Sequence, residues 1–263
     1  DMPVLFIHRT LPDAEIYFVS NQHNERVVFN GEFRVSQEFS PELWNPVTGE
    51  IRYLPDFKSK EGNISLPVEL EGNESAFIVF RKNNKLTETK DNFPQKVTVC
   101  KINTPWRITF EAGKRGRETP VVWSQLKDWM NSENDSIKYF SGQAVYETTF
   151  TLEKLPQKNL YIDLGNVMVM AKVTLNGQYV GGVWTFPYRL NVTGYLKEGE
   201  NKLEITVVNN WQNRLIGDQR LPEDQRLTWT TINPWKADSS LQSSGLLGPV
   251  EIQAFDYKIV KPE

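Results

Sequence analysis

From Ala14 onward, apolar and polar positions alternate with the two-residue period of half-buried strands. The segments "AEIYFVS", "RVVFNGEFRV", "GEIRYL", "ISLPVEL" and "SAFIVFRK" follow one another, the fourth placing Ile64, Leu66, Val68 and Leu70 on one face. Asn30-Gly31 reads as a turn within the second segment. "ELWNPVTGE" reads as a turn-rich connection holding Trp44, Pro46 and Thr48-Gly49, and "ELEGNES" as a further turn. Helical periodicity is nearly absent, so residues 1–96 predict a small β-sandwich. Its far border is "KNNKLTETKDNFPQK", residues 82–96, polar and poor in aliphatics, which reads as an exposed connection.

A second strand series fills residues 97–263. After "VTVCKI" and "WRITFE", a stretch with Trp123, Leu126, Trp129 and Met130 predicts a short helix before Asn131. "AVYETTFTL" then alternates Ala144, Tyr146, Thr148, Phe150 and Leu152 against Glu147, Thr149 and Thr151. "LYIDLG" follows, and in "AKVTLNGQYVGG" the pair Asn176-Gly177 marks a hairpin whose two turn residues take positive φ. "YLKEGENKLEITVVNNW" puts Leu203, Ile205 and Val207 on one face, and "GPVEIQAF" reads as the final strand. Antiparallel strands with these long connections predict a jelly-roll sandwich, so the chain is all-β in two domains.

Composition narrows the function classes. The 263 residues are 39% hydrophobic and 24% charged, with no apolar run of membrane length, so no membrane partner is expected. Net charge is −3, and the one dense basic run, Lys114-Arg115-Gly116-Arg117, reads as a solvated loop, so no nucleic-acid partner is expected either. Cys100 is the only cysteine, which excludes an intrachain disulfide and a zinc-thiolate centre. His8 and His23 are the only histidines and leave a Ser-His-Asp arrangement few options. The chain opens at Asp1 with neither an initiator Met nor a signal segment, as though cut from something longer.

Three stretches carry candidate chemistry. In "NGQYVGGVWTFPYRL", alternation puts Trp184, Phe186 and Tyr188 together while Pro187 argues for a loop or edge, leaving both core packing and a stacking surface open. "NNWQNRLIGD" gathers Asn209, Asn210, Trp211, Gln212, Asn213, Arg214 and Asp218. These groups match vicinal hydroxyls, although they equally end a strand, and Arg214 with Asp218 equally forms a structural ion pair. "LPEDQRLTWTTINPW" sets Glu223, Asp224, Arg226, Trp229 and Trp235 in a segment without strand periodicity, where a solvated loop is the better reading than catalysis.

"YFSGQAVYETTFTL", "VTLNGQYVGGVWTFPYRLNVTGYLKEGENKLEITVVN" and "SGLLGPVEI" resemble, in that order, the galactose-binding-like jelly roll called the sugar-binding domain of family 2 glycosidases, over residues 139–256. "NRLIGDQRLPEDQRLTWTTINPW" departs from ordinary family 2 domains. Like "IHRTLPDAEIYFVSNQ", it is similar to stretches of family 106 α-L-rhamnosidases and related large bacterial hydrolases. The resemblance implies the C-terminal β region of such an enzyme, secreted or periplasmic, following a catalytic barrel that holds the two carboxyl groups glycoside hydrolysis needs. No catalytic residue is therefore assigned.

In family 2 enzymes this domain abuts the barrel near the active site. Trp184, Tyr188, Trp211, Asn213, Arg214, Trp229 and Trp235 become the candidate carbohydrate-binding or barrel-facing residues, expected to converge at one end of the second sandwich. The partner implied is a rhamnose- or galactose-containing glycan, or the missing catalytic domain. Calcium, common in jelly rolls of this type, is a candidate ion although no EF-hand loop is present. In a bacterial parent the sequons at Asn63, Asn73, Asn134 and Asn191 are ordinary turns. The rivals are a purely structural or protein-interaction module without sugar affinity and, third, an autonomous glycosidase.

Overall fold

A computed structural model describes residues 3–35, 39–82, 91–257 and 259–260. The chain divides into two units, Asp1–Val97 with Ala254–Glu263, and Thr98–Gln253. The strands of the first are β1 (Val4–Thr10), β2 (Ala14–Asn21), β3 (Val27–Arg34), β4 (Ser40–Trp44), β5 (Ile51–Tyr53), β6 (Lys58–Lys60), β7 (Asn63–Leu70) and β8 (Ser75–Arg81). After them come β9 (Val97–Lys101), β10 (Trp106–Phe110), β11 (Val121–Trp123), β12 (Gln143–Leu152), β13 (Asn159–Asp163), β14 (Asn166–Met168) and β15 (Met170–Leu175). The series ends with β16 (Gln178–Val183), β17 (Arg189–Asn191), β18 (Gly199–Val208), β19 (Gly245–Gly248), β20 (Glu251–Phe255) and β21 (Ile259–Val260). Two short helices, α1 (Asp135–Lys138) and α2 (Gln212–Asp218), interrupt the series. No helix among the described residues is long and apolar enough to cross a membrane.

In the first unit, a sheet of order β1-β2-β8-β4-β5-β21 accompanies a smaller one of order β3-β7-β6. The alternation of β7 is realised: Ile64, Leu66, Val68 and Leu70 are all buried, beside Tyr17, Phe33, Ile78 and Phe80. Tyr17 meets Phe33 edge-on at 5.0 Å, the ring geometry aromatic quadrupoles favour.

Three features depart from the sequence reading. Asn30-Gly31 is no turn, because β3 runs through it in unbroken antiparallel register with β7, from Val27 opposite Leu70 to Arg34 opposite Asn63. A Cβ on Gly31 would come within 2.6 Å of the Phe33 ring, so this glycine makes room for a side chain two residues along on the same face. Of the stretch 82–96, residues 83–90 lie outside the described residues. Asn92, however, is buried, with Asp56 N donating to its Oδ1 at 2.8 Å and its Nδ2 donating to Asp56 O at 2.8 Å. "GPVEIQAF" is not the last strand either: β21 follows, and Ile259 pairs with Arg52 of β5.

The second unit is a jelly-roll sandwich of a six-stranded sheet, β11-β10-β12-β18-β15-β16, and a four-stranded one, β17-β13-β20-β9, with β14 and β19 paired beside them. Alternation again predicts the buried face, since Ala144, Tyr146, Phe150, Leu203, Ile205 and Val207 all lie inside. Trp129 sits in a 3-10 turn, Trp129–Asn131, where the sequence predicts a short helix. It is fully buried, and its indole N–H donates to the Tyr146 hydroxyl at 2.6 Å. Burial pushes the Tyr146 hydroxyl well above the usual tyrosine range, while donation from Leu246 N and from Trp129 pulls the other way.

Candidate functional site

Strand register fixes which loops share an end of the jelly roll. Phe110 of β10 faces Ala144 of β12, Ala144 faces Val207 of β18, Val207 faces Ala171 of β15, and Ala171 faces Val183 of β16. One row thus crosses five strands. Beyond it lie the loop after Phe110, the lead-in Ser141-Gly142, the exit Asn209-Asn210-Trp211 and the exit Trp184. Strands lie about 4.8 Å apart, so the exits after Val183 and Val207 are separated by roughly 10 Å.

The chain makes its longest excursion here, passing through α2 and a loop with one 3-10 turn, Glu223–Gln225, before β19. The amide-rich motif holds that excursion in place. Asn209 Nδ2 donates to Phe140 O at 2.8 Å, and Gly142 N donates to Asn209 Oδ1 at 3.0 Å. Asn210 Nδ2 donates to Gln242 Oε1 at 2.7 Å. Asn213, fully buried, donates from Nδ2 to Gln242 O at 2.7 Å while Gln242 N donates to its Oδ1 at 2.8 Å. Ser244 N donates to Asp128 Oδ1 at 3.0 Å. These side chains replace backbone partners that an irregular loop cannot supply for itself.

Asn213 is therefore no ligand donor, and the expectation that it reaches a sugar is corrected. Arg214 is buried too. Its guanidinium pairs with Asp218 at 2.8 Å, one helical turn on, and this is the structural ion pair the sequence left open. The second oxygen of Asp218 accepts from Leu227 N, Thr228 N and Thr228 Oγ1 at 3.0, 2.9 and 2.6 Å, so one carboxylate ties α2 to the far side of the loop. Burial holds the Arg214 pKa below its ordinary value, with the Asp218 charge opposing that and the Arg115 charge adding to it.

The same end leaves several large apolar side chains exposed. Trp184 is 57% exposed, Trp211 65% and Trp229 83%, and Leu227 and Ile232 accompany them. Trp235 is half-buried. Tyr188 is half-buried against Phe186, the rings meeting edge to face at 5.8 Å and 83°, and burial raises its hydroxyl pKa. Its carbonyl accepts from Leu164 N at 2.9 Å, and the next residue, Arg189, pairs with Asp163 at 3.0 Å. The cluster 184–189 thus divides, with Phe186 and Tyr188 packed and Trp184 turned out. The structure brings the origins of Trp184 and Trp211 to one end, with Trp229 in the excursion that starts there. Leu227 and Ile232 escape a sequence reading because an isolated aliphatic in a loop carries no periodic signal. Among the described residues no group of three or more His, Cys, Asp or Glu gathers that could hold a metal ion.

The family model for α-L-rhamnosidase of family 106 matches residues 1–59, and the glycosyl hydrolase 2 galactose-binding domain-like model matches residues 123–241, the part holding every exposed tryptophan above. The solved rhamnosidase of Novosphingobium sp. PP1Y superposes on 95% of this chain with a TM-score of 0.85 at 34% identity. By these matches the chain is similar to family 106 rhamnosidases in its first part and to family 2 galactose-binding-like domains in its second. A curated protein of Formosa agariphila, "Putative beta-glucuronidase", is 44% identical over 164 residues, which is 52% of this chain. The chain spans 24% of the Novosphingobium chain and 14% of the Formosa protein.

Proposed function

We propose that this chain is the accessory β region of an α-L-rhamnosidase-like glycoside hydrolase, with catalysis carried by another domain of the parent enzyme. The open end of the jelly roll, carrying Trp184, Trp211 and Trp229, holds a rhamnose- or galactose-containing glycan beside that domain. One observation carries the reading: exposed indoles follow β16 and β18 at the same end, while the amides of Asn209, Asn210 and Asn213 are spent on the frame. A flat indole face stacks on the C–H face of a pyranose, and nearby polar groups fix its orientation. The two relatives are named for different sugars, which supports a holding role for shared structure, with the cleaved sugar chosen elsewhere in each enzyme. A secreted or periplasmic parent goes with this role, since polymeric glycans are met outside the cytoplasm.

Leu227 and Ile232 favour a second reading, a protein-interaction face without sugar affinity, because large aliphatics mark protein contacts more than sugar contacts. Calorimetric titration of the chain with rhamnose- and galactose-containing oligosaccharides separates the two. Saturable binding that falls on Trp211→Ala or Trp184→Ala, with folding unchanged, is expected. An absence of heat with every sugar favours the second reading. The chain is expected to leave aryl α-L-rhamnosides intact, and turnover abolished by replacing one of its own carboxylates would overturn the accessory role.

A further inference from the structure

Two glycine contacts bring separate basic segments to one dipeptide. A Cβ on Gly116 would lie 2.6 Å from the Phe140 ring, and a Cβ on Gly217 would lie 2.7 Å from Tyr139 Cβ. The loop 113–117 and helix α2 therefore pack against adjacent residues, whose Cα atoms are about 3.8 Å apart. Arg115 and Arg117 flank the first glycine. Arg214, whose terminal nitrogen lies 2.8 Å from the second contact point, and Arg220 accompany the other. Arg220 donates to the Tyr139 hydroxyl at 2.7 Å and stands over the ring at 5.6 Å.

Two guanidinium groups of this grouping are incompletely bonded. Arg214 is buried with its Nε unpartnered, and Arg117 also buries an Nε without a hydrogen-bond acceptor. Glu111, Glu118, Glu223 and Asp224 belong to the same loops. Among the described residues, none of them closes an ion pair with Lys114, Arg115, Arg117 or Arg220. The one acid at the centre, Asp218, already serves Arg214 and three loop donors. Five basic side chains, Lys114, Arg115, Arg117, Arg214 and Arg220, thus accompany these five acidic ones, yet two guanidinium Nε groups stay buried without an acceptor. Arg115 also takes φ +51°, an uncommon backbone conformation for a residue with a side chain.

We infer that the open end of the jelly roll, read above as a glycan-holding surface, is selective for glycans bearing an anionic group, a uronate carboxylate or a sulfate ester. Arg115, Arg117 and Arg220 take the anion, and Trp211 takes the face of a neighbouring sugar ring. The guanidinium fork matches the paired oxygens of either anion. Arg214 lies beneath, paired with Asp218 and with its Nε unpartnered.

The test titrates the chain with three oligosaccharides of equal length: uncharged, glucuronate-bearing and sulfated. At about 20 mM salt, where screening is weak, an anionic ligand is expected to bind roughly tenfold more tightly than the uncharged one, the advantage shrinking at about 150 mM. Comparing the two anionic arms shows which group is preferred. R115Q/R117Q removes the advantage and leaves uncharged-sugar binding intact. K154Q/K202Q, at the opposite end of the same sheets, leaves the advantage in place. Equal binding of charged and uncharged sugars, or an equal loss in K154Q/K202Q, overturns the anion selectivity while the glycan-holding reading stands. No binding of any sugar defeats that reading and this one with it, and tighter binding of a poly-glutamate peptide than of every sugar assigns the arginines to a protein partner.

Discussion

The two ends of the jelly roll are built from the same strands and brace their loops with side-chain amides alike, but differ in what they leave exposed. At the hairpin end, Asn176 and Gly177 take φ of 52° and 79°, the turn their sequence predicts. Asn176 Nδ2 donates to Tyr195 O and to Asn201 Oδ1, both at 2.9 Å, and its Oδ1 accepts from Lys202 N at 3.0 Å. Asn201, fully buried, donates to Lys197 O at 2.8 Å and Gly199 O at 3.1 Å and accepts from Lys197 N at 3.0 Å. Every group of these two amides has a partner. At the open end the amides are spent in the same manner, but indoles and guanidinium groups are left over. Elements that stabilise a fold satisfy themselves, and those kept for a partner stay incomplete.

That contrast is open to attack by substitution, from the largest effect to the smallest. Asp218→Ala strands the buried Arg214 charge and releases Leu227 and Thr228, and it should cost about 3–5 kcal/mol in urea unfolding. A loss under about 1 kcal/mol would show that the open end carries no structural frame. Asn201→Ala leaves Lys197 N and two carbonyls unpaired and should cost about 2–3 kcal/mol by the same measurement, with ligand binding unchanged in the folded fraction. Gly116→Val forces a side chain into the Phe140 ring and should cost about 1–3 kcal/mol. Thermal melting compared with Gly113→Val, where a Cβ meets open space though φ is +76°, separates the clash from backbone strain. Trp211→Ala should change stability by no more than about 0.5 kcal/mol, because the ring is mostly exposed. A larger loss would move Trp211 from the binding rim into the structural frame.

Much of this organisation was legible in the sequence, for a physical reason. A strand with one buried face writes its orientation into every second residue, so Ile64 to Leu70 and Ala144 to Leu152 announced themselves, and so did the Asn176-Gly177 reversal. Asn30-Gly31 misled because a glycine that clears space for Phe33 has the same letter as one that permits positive φ. Asn213 and Arg214 were singled out for their chemistry but misread in role, since an amide that braces a loop and one that grips a sugar have identical donors. The basic run 114–117 reads as a solvated loop, and Lys114 and Arg115 are indeed exposed; that its Gly116 packs on Phe140 while Gly217 packs on Tyr139 is a tertiary contact no local pattern encodes.

The central claim, that the open end meets carbohydrate, is tested most directly through the indole N–H resonances of the eight tryptophans during titration with an oligosaccharide. The account predicts saturable shifts for Trp184, Trp211 and Trp229, with the buried Trp106 and Trp129 unmoved. Saturable shifts confined to other tryptophans, or no shifts at saturating sugar, would contradict it.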